Sequence, residues 1–309
     1  MSNNHISTLN CLAMAPINAF RRQCLTRLAS TYQFVYTRAL STSIPAARNA
    51  DSSKTVAPQP HKIDPRWLTT TKRRLGKCMM FGLKPAQIHE AGEILQQIAR
   101  DWRELIAGSE GYLTDATRRG LFRQSVAWGE MDTMGHVNNV NYVRYAETGR
   151  VYMTRNFAMH IDPAHKKEWL NIVGNTGIGI ILRSIKIDYK FPMKYPDEVT
   201  VYHKIAHDPA ATHSPKDAFY LQAVIISEAR QRPAARVHED LVIYDYKRAK
   251  KTEMPPFMLE QFKSTWELQE QAKKFWQQRI LDIETRIRTL EVESWDREDA
   301  VEDTGSAKK

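Results

Sequence analysis

Between Ser184 and Phe191 the chain alternates strictly: Ile185, Ile187, Tyr189 and Phe191 are interleaved with Ser184, Lys186, Asp188 and Lys190. Successive side chains of a strand point to opposite faces, so this period of two predicts a strand with one face on a core and the other in water. Val199, Val201 and His203 repeat the pattern. Strands are expected over 122–128, 178–191, 198–206, 218–229 and 235–247. Ahead of the last four lies one long helical stretch, about 138 to 159, in which Tyr142, Ala146, Gly149, Met153 and Phe157 fall on one stripe. One long helix followed by four sequential strands predicts an antiparallel sheet packed on a helix, an α+β architecture.

Helical segments flank this unit. Over 85–107, Ile88, Ala91, Ile94, Leu95, Ile98, Trp102 and Leu105 recur at spacings of three and four, with Pro85 at the start and Gly108 at the end, which marks an amphipathic helix with its boundaries. After Pro255 and Pro256 a second helix runs to about Trp295. Its Trp276, Ile280, Ile283, Ile287 and Leu290 hold a regular register that Gln269 and Lys273 interrupt upstream. Two heptads are too few for a free-standing coiled coil, so that stripe docks either on its own domain or on a partner helix. Residues 51–65 are polar with three prolines and read as a linker, and 296–309 as a charged tail. The division that follows is 1–50, 51–116 (linker and amphipathic helical extension), 117–256 (the α+β domain) and 257–309 (C-terminal helix and tail).

The net charge of +10 suggests a nucleic-acid partner, but its distribution argues otherwise. Residues 1–50 carry five arginines (Arg21, Arg22, Arg27, Arg38 and Arg48), ten serines and threonines and no acidic residue, while the remaining chain holds 40 basic against 35 acidic groups. That composition is the one expected of a mitochondrial transit peptide, with Ala19 to Tyr36 able to wind into a basic amphipathic helix and cleavage expected between Arg38 and Asp51. A disordered basic tail is the alternative. The expected localisation is the mitochondrial matrix. Removal of this segment leaves Cys78 as the one cysteine, so no disulfide framework is expected within a subunit. The histidines show no ligand spacing, so no metal site and no cofactor are expected either. No apolar run approaches the length of a membrane span.

Asp132, Gly135, His136, Asn138, Asn139 and Tyr142 crowd into eleven positions where a strand hands over to the long helix. Asp132 can accept a proton or attack a carbonyl. Gly135 permits a turn with positive φ. Asn138 can cap the helix, and the amides left free at the helix start can face a developing negative charge. A purely structural account, a polar loop capping a buried helix, uses the same residue types. Glu147, within that helix, can pair with Arg150 or Arg144 as a rim ion pair. Gly174, Gly177 and Gly179 lead into a strand without a following helix, so a loop is expected there and not a dinucleotide fold. The basic clusters Lys72-Arg73-Arg74 and Lys247-Arg248-Ala249-Lys250-Lys251 are expected to be solvated faces, with coenzyme A phosphates or ribosomal RNA as alternatives.

The string DTMGHVNNVNY at 132–142, followed by Tyr145, Glu147 and Arg150, resembles the 4-hydroxybenzoyl-CoA thioesterase-like branch of the hotdog superfamily over about residues 117–250. The flanking helices resemble those of fungal mitochondrial members. The resemblance implies a hotdog fold, in which an antiparallel sheet wraps a long central helix and subunits pair edge to edge as a homodimer or homotetramer. It also implies an acyl-CoA substrate bound at the subunit interface and hydrolysed to free acid and CoA. It assigns Asp132 as nucleophile or general base, His136 to the HVNN string shared with plant acyl-carrier-protein thioesterases, in some of which a D-x-N-x-H pattern serves catalysis, and Glu147 as the reserve carboxylate. Gly135, Asn138, Asn139 and Tyr142 become substrate-binding positions. Met134 stands where the plant pattern has Asn. A non-catalytic subunit of the same fold, assembled into a mitochondrial complex such as the ribosome, is the rival reading.

Overall fold

The computed structural model describes residue 64 and residues 66–302. The transit-peptide segment, the Ala19 to Tyr36 helix and almost all of the 51–65 linker lie outside the described residues. Among the described residues the expected hotdog architecture is present. Helix α3 (Asn139–Asn156) packs on a curled antiparallel sheet built from β1 (Gln124–Ser125), β2 (Ile178–Tyr189), β3 (Glu198–Ile205), β4 (Ala218–Ser227) and β5 (Arg232–Asp245). The strand order is β1-β3-β4-β5-β2, and the short β6 (Lys250–Lys251) pairs with β5. Pairing aligns Val201 with Ile225 and Ala223 with Val237, so the inward residues of neighbouring strands stack in rows. The inner face buries Val199, Val201, Ala223, Ile225 and Val237 against Tyr142, Tyr145 and Ala146 of α3. Gly149 lets the helix settle on β3, since a Cβ there would stand 2.8 Å from His203 Cε1 and 3.1 Å from Val201 Cγ1.

The outer face has its own cover. Tyr202, Val224 and Ile226 point away from α3 and join a second core made by α1 (Trp67–Met80), α2 (Pro85–Ile106) and α5 (Pro256–Ser294). Ala91, Ile94, Ile98, Trp102 and Leu105 of α2 are buried there as the spacing predicts, while Ile88 is exposed. Gln87 Oε1 accepts the Lys84 N–H at the start of α2, beside Pro85. Helix α1 was not expected from the sequence. It buries Leu68, Thr71, Leu75 and Cys78, and Arg74 is clamped between Glu284 and Glu291 of α5.

The 39 residues of α5 extend about 58 Å at the α-helical rise and serve two cores in turn. Met258 and Phe262 pack with Phe157 and Trp169 beneath the end of α3, whereas Ile280, Ile283, Ile287 and Leu290 pack on α1 and α2. The interruption at Gln269 lies between them. This buried side chain accepts the Ile205 N–H at 2.9 Å and donates to the Ile205 carbonyl at 3.0 Å, filling the β3 edge beyond the reach of β1. The helix therefore docks on its own domain. Elsewhere the expected strand 122–128 shrinks to Gln124–Ser125, because the chain turns into a single 3-10 turn at Trp128–Glu130. A further helix, α4 (Lys166–Ile172), was not anticipated. The glycines at 174–179 form the expected loop into β2, with Gly177 at φ +82, but Gly179 lies against Tyr246 and the carbonyls of Ile172 and Gly174 and not against α3.

Candidate active site

Residues 131–137 form a tight hairpin at the N-terminus of α3, closed by an antiparallel bridge between Met131 and Val137. Gly135 at φ +70 makes the turn, a conformation that costs an L side chain energy and glycine little. Asp132 organises the loop interior. Its Oδ1 accepts the N–H groups of Met134 at 2.8 Å and His136 at 3.2 Å, and its own N–H donates to the His136 carbonyl at 2.8 Å. Oδ2 has no hydrogen-bond partner among the described residues, and the side chain is half-buried. The carboxylate is thus fixed through one oxygen and open through the other.

Asn138 caps α3 as expected, its Oδ1 accepting the Val140 N–H at 3.1 Å. Asn141 N–H goes to the Asn138 carbonyl, which leaves the Asn139 N–H of the first turn without an acceptor among the described residues. An unpaired amide at a helix N-terminus is a donor for an anionic oxygen. The hairpin is held onto the helix by Glu130. Its carbonyl accepts Asn138 N–H and Asn141 Nδ2, and its carboxylate accepts Tyr145 Oη at 2.7 Å and Ala127 N–H at 2.8 Å. Burial and the Glu130 carboxylate beside it hold the Tyr145 phenol protonated, well above the usual tyrosine range.

The other predicted positions separate. His136 meets Asp132 through its backbone N–H, and no hydrogen bond joins its ring to that carboxylate. Tyr142 is buried, its hydroxyl accepting the Met193 N–H at 3.1 Å and its ring edge-on to Tyr189 at 5.1 Å, so it forms the wall behind the loop. Asn139 is exposed, its carbonyl accepting Tyr189 Oη. Glu147 is exposed eight residues into α3, about 12 Å along the axis from the helix start, and the structure does not bring it to Asp132. Its expected ion pair is not formed either. Arg150 turns inward to Glu239 of β5 and Arg144 bonds to Asn141, because the side of α3 carrying Arg150 faces the sheet.

Sequence reasoning missed two groups. The first is an apolar rim around the Asp132 loop: Trp128, Met134 and Val140 are 74%, 76% and 62% exposed, and Trp128 meets Tyr195 edge-on at 5.8 Å. Tyr195 arrives from the β2–β3 loop, so no local signal announced it. An open cleft of about 660 Å³ begins there, between Tyr195, Val126, Ser125, Trp102 and Arg103. A second cavity, of about 380 Å³, lies between the β3–β4 loop and the start of α5, and none of the candidate residues line it. The second missed group is a buried cluster under α3. His203 Nε2 stands 3.7 Å from Glu239 Oε2, Arg150 bonds the other Glu239 oxygen, and both His203 nitrogens lack partners. Burial, with the Arg150 charge beside it, lowers His203 to about 3. Burial raises Glu239 to about 7, with Arg150 opposing.

Among the described residues no cluster of three or more His, Cys, Asp or Glu side chains is arranged to hold a metal ion, and no helix is long and apolar enough to cross a membrane. Of the expected basic faces, Arg74 is internally paired as above, Arg248 pairs with Asp245, and Lys251 with Asp217.

An antiparallel sheet wrapped on a central helix, with an aspartate hairpin at that helix's N-terminus, defines a hotdog domain. Residues 126–262 match the family model described as the Thioesterase-like superfamily. Among solved structures the chain is similar to a thioesterase of Thermus thermophilus complexed with coenzyme A and Zn. That likeness has 20% identity and a TM-score of 0.38, and covers 51% of this chain and 97% of that one. It is also similar to the probable thioesterase YbaW of Escherichia coli (19% identity, TM-score 0.37, 47% and 96% covered). A third is the DHNA-CoA thioesterase of Staphylococcus aureus (15% identity, TM-score 0.34, 57% and 94% covered). Comparison with curated proteins gave no match.

Proposed function

We propose that the protein hydrolyses acyl-CoA thioesters to free acid and CoA. The observation that carries this reading is that one loop holds both an open carboxylate oxygen on Asp132 and, at the start of α3, the unpaired Asn139 amide, in a domain that matches the Thioesterase-like superfamily. A thioester carbonyl set over the helix start receives the Asn139 N–H as its oxygen gains charge. Asp132 then draws a proton from water, which adds to the carbonyl and expels the CoA thiolate, or it attacks the carbonyl carbon itself, expelling the thiolate and leaving an anhydride that water hydrolyses. Both routes end with acid and thiol. The apolar rim of Trp128, Met134 and Tyr195 suits an acyl chain or a second subunit closing over it. Tyr142 and Glu130 hold the loop, and His136 contributes mainly its backbone.

The working unit is a homodimer. Strand β2 pairs with β5 along one edge, and its other edge, 12 residues long, has no strand beside it among the described residues, an arrangement suited to edge pairing with a second copy. The arginine-rich, acid-free first 50 residues support import into the mitochondrial matrix. The fungal mitochondrial branch of the 4-hydroxybenzoyl-CoA type is the relationship that these features favour. The rival, a non-catalytic subunit of a mitochondrial assembly, draws on the helical layer of α1, α2 and α5, most of which lies outside the matched segment.

The test is thiol release from a series of acyl-CoA esters, from acetyl to palmitoyl and including 4-hydroxybenzoyl, by the purified protein. Turnover of at least one ester above the buffer rate is expected. No turnover across the series, with the protein co-sedimenting with mitochondrial ribosomes, would establish the rival instead.

A further inference from the structure

The cleft that begins at Tyr195 ends at the β4–β5 turn, where Glu228, Ala229 and Gln231 line it. At that turn two separate parts of the chain bring cations together. Arg230 and Arg232 come from the hotdog domain, and Arg66 and Lys72 from the start of α1. Lys72 Nζ donates to Gln231 Oε1, which fixes α1 to the turn. The Arg232 guanidinium lies 4.0 Å from the centre of the Phe191 ring, and its buried Nε has no partner. Among the described residues Arg66, Lys72, Arg230 and Arg232 form no ion pair. Burial lowers the Arg232 pKa, and the like charges of Arg66 and Arg230 add to the fall. Of the carboxylates nearby, Glu228 is engaged by Arg103 and Thr200, Asp197 by Ser227 and the N–H of Ala229, and Asp64 accepts the Arg66 N–H. A cluster of cations without ion pairs around an unpartnered guanidinium donor is a site for a multiply charged anion.

The cluster is connected to the candidate active site. Phe191, under Arg232, and Met193, whose carbonyl accepts the Val137 N–H of the Asp132 hairpin, are separated by at most about 7 Å of extended chain. The cleft covers the remaining path from Tyr195 to Gln231.

We propose that Arg66, Lys72, Arg230 and Arg232 bind the phosphates of the substrate's coenzyme A, so that the N-terminal helical extension supplies half of the carrier site. This rests on the thioesterase reading for its catalytic consequence, but the binding claim stands apart from it. It also commits to a nucleotide-bearing carrier, since a bare pantetheine thioester has no phosphates to offer the cluster.

The experiment compares one acyl group on CoA and on pantetheine, in the wild type and in Arg66→Glu, Lys72→Glu and Arg230→Glu, three exposed positions whose change leaves both cores intact. The wild type is expected to show a lower KM for the CoA ester that rises with salt. The charge-reversed variants should raise that KM at least about tenfold, the scale of a lost charge-assisted contact, with kcat and the pantetheine KM unchanged. Equal KM for both carriers in the wild type, or variants that shift both alike, would overturn the proposal. Calorimetric titration with CoA and with pantetheine separates this from the thioesterase reading. If no ester is hydrolysed, CoA binding that the variants abolish still supports the site, and absence of CoA binding overturns it. Binding of mitochondrial ribosomal RNA lost in the same variants, without binding of CoA, also overturns it.

Discussion

At the scale of single residues, the sequence exposed the parts of the site that are local and concealed those that are not. Gly135 makes the turn and Asn138 the cap expected of them because both depend on neighbours within a few residues, and Asp132 lies in the same loop. Glu147 and Arg150 mislead for the same reason. Their helical spacing offers an ion pair, but which side of α3 meets the sheet is decided by Gly149 and the β3 residues opposite, and that turns Arg150 toward Glu239. The resulting buried cluster makes a pH prediction. Burial raises the Glu239 carboxyl from the ordinary glutamate value to about 7, so the folded state holds this proton more tightly than the unfolded state. Stability from that proton is complete below the ordinary value and is lost as pH rises through about 7. Glu239→Gln mimics the protonated form. Its stability measured against the wild type by urea unfolding should therefore increase between pH 5 and 8, by on the order of 3 kcal/mol at the upper end. A difference between the two proteins that does not change with pH would contradict the assignment. The fall in His203 runs the opposite way, favouring the fold above the ordinary histidine value and weakening it as pH drops, which is why the comparison between the two proteins, and not the wild-type curve alone, isolates Glu239.

At the scale of elements, legibility followed periodicity. The strands from 178 onward and helices α2, α3 and α5 carry clean patterns and appear close to their expected bounds. Helix α1 was missed because Lys72, Arg73, Arg74 and Lys77 obscure a stripe of Leu68, Thr71, Leu75 and Cys78 whose third- and fourth-residue spacing is regular. The expected strand at 122–128 shortens because only Gln124 and Ser125 pair in register, with Val199 and Glu198, before the chain turns away at Trp128. Gln269 interrupts the stripe of α5 where the helix passes from one core to the other, and it replaces a neighbouring strand at the β3 edge. Gln269→Ala should therefore lower stability by about 2 kcal/mol, because a buried backbone N–H and carbonyl lose their partners. Thermal unfolding with an unchanged far-ultraviolet spectrum would register it. A loss no larger than that of an exposed glutamine on the same helix, such as Gln278, would show that the edge does not depend on this contact.

At the scale of the whole molecule, the sheet has two fates on its two faces. The inner face holds α3 and the candidate site, and the outer face over β3 and β4 is sealed by α1, α2 and α5 through Tyr202, Val224 and Ile226. In the proposed dimer this layer stands where a second dimer would have to stack against β3 and β4. Light scattering on the purified protein should therefore give a dimer at micromolar concentration. A tetramer that Tyr202→Glu dissociates without unfolding would contradict this account of the helical layer. The same layer places Arg66 and Lys72 beside the β4–β5 turn, which ties the extension to the substrate and not only to stability.

The central claim is that Asp132 carries thioester hydrolysis from its hairpin at the start of α3, and Asp132→Asn tests it most directly. The amide keeps the oxygen that accepts the Met134 and His136 N–H groups, so the loop retains its shape while the base or nucleophile is gone. Thiol release from the preferred acyl-CoA should fall in kcat by at least about a hundredfold, the scale of a positioned general base, with substrate affinity and thermal stability close to wild type. A variant that hydrolyses the ester at the wild-type rate would contradict the account.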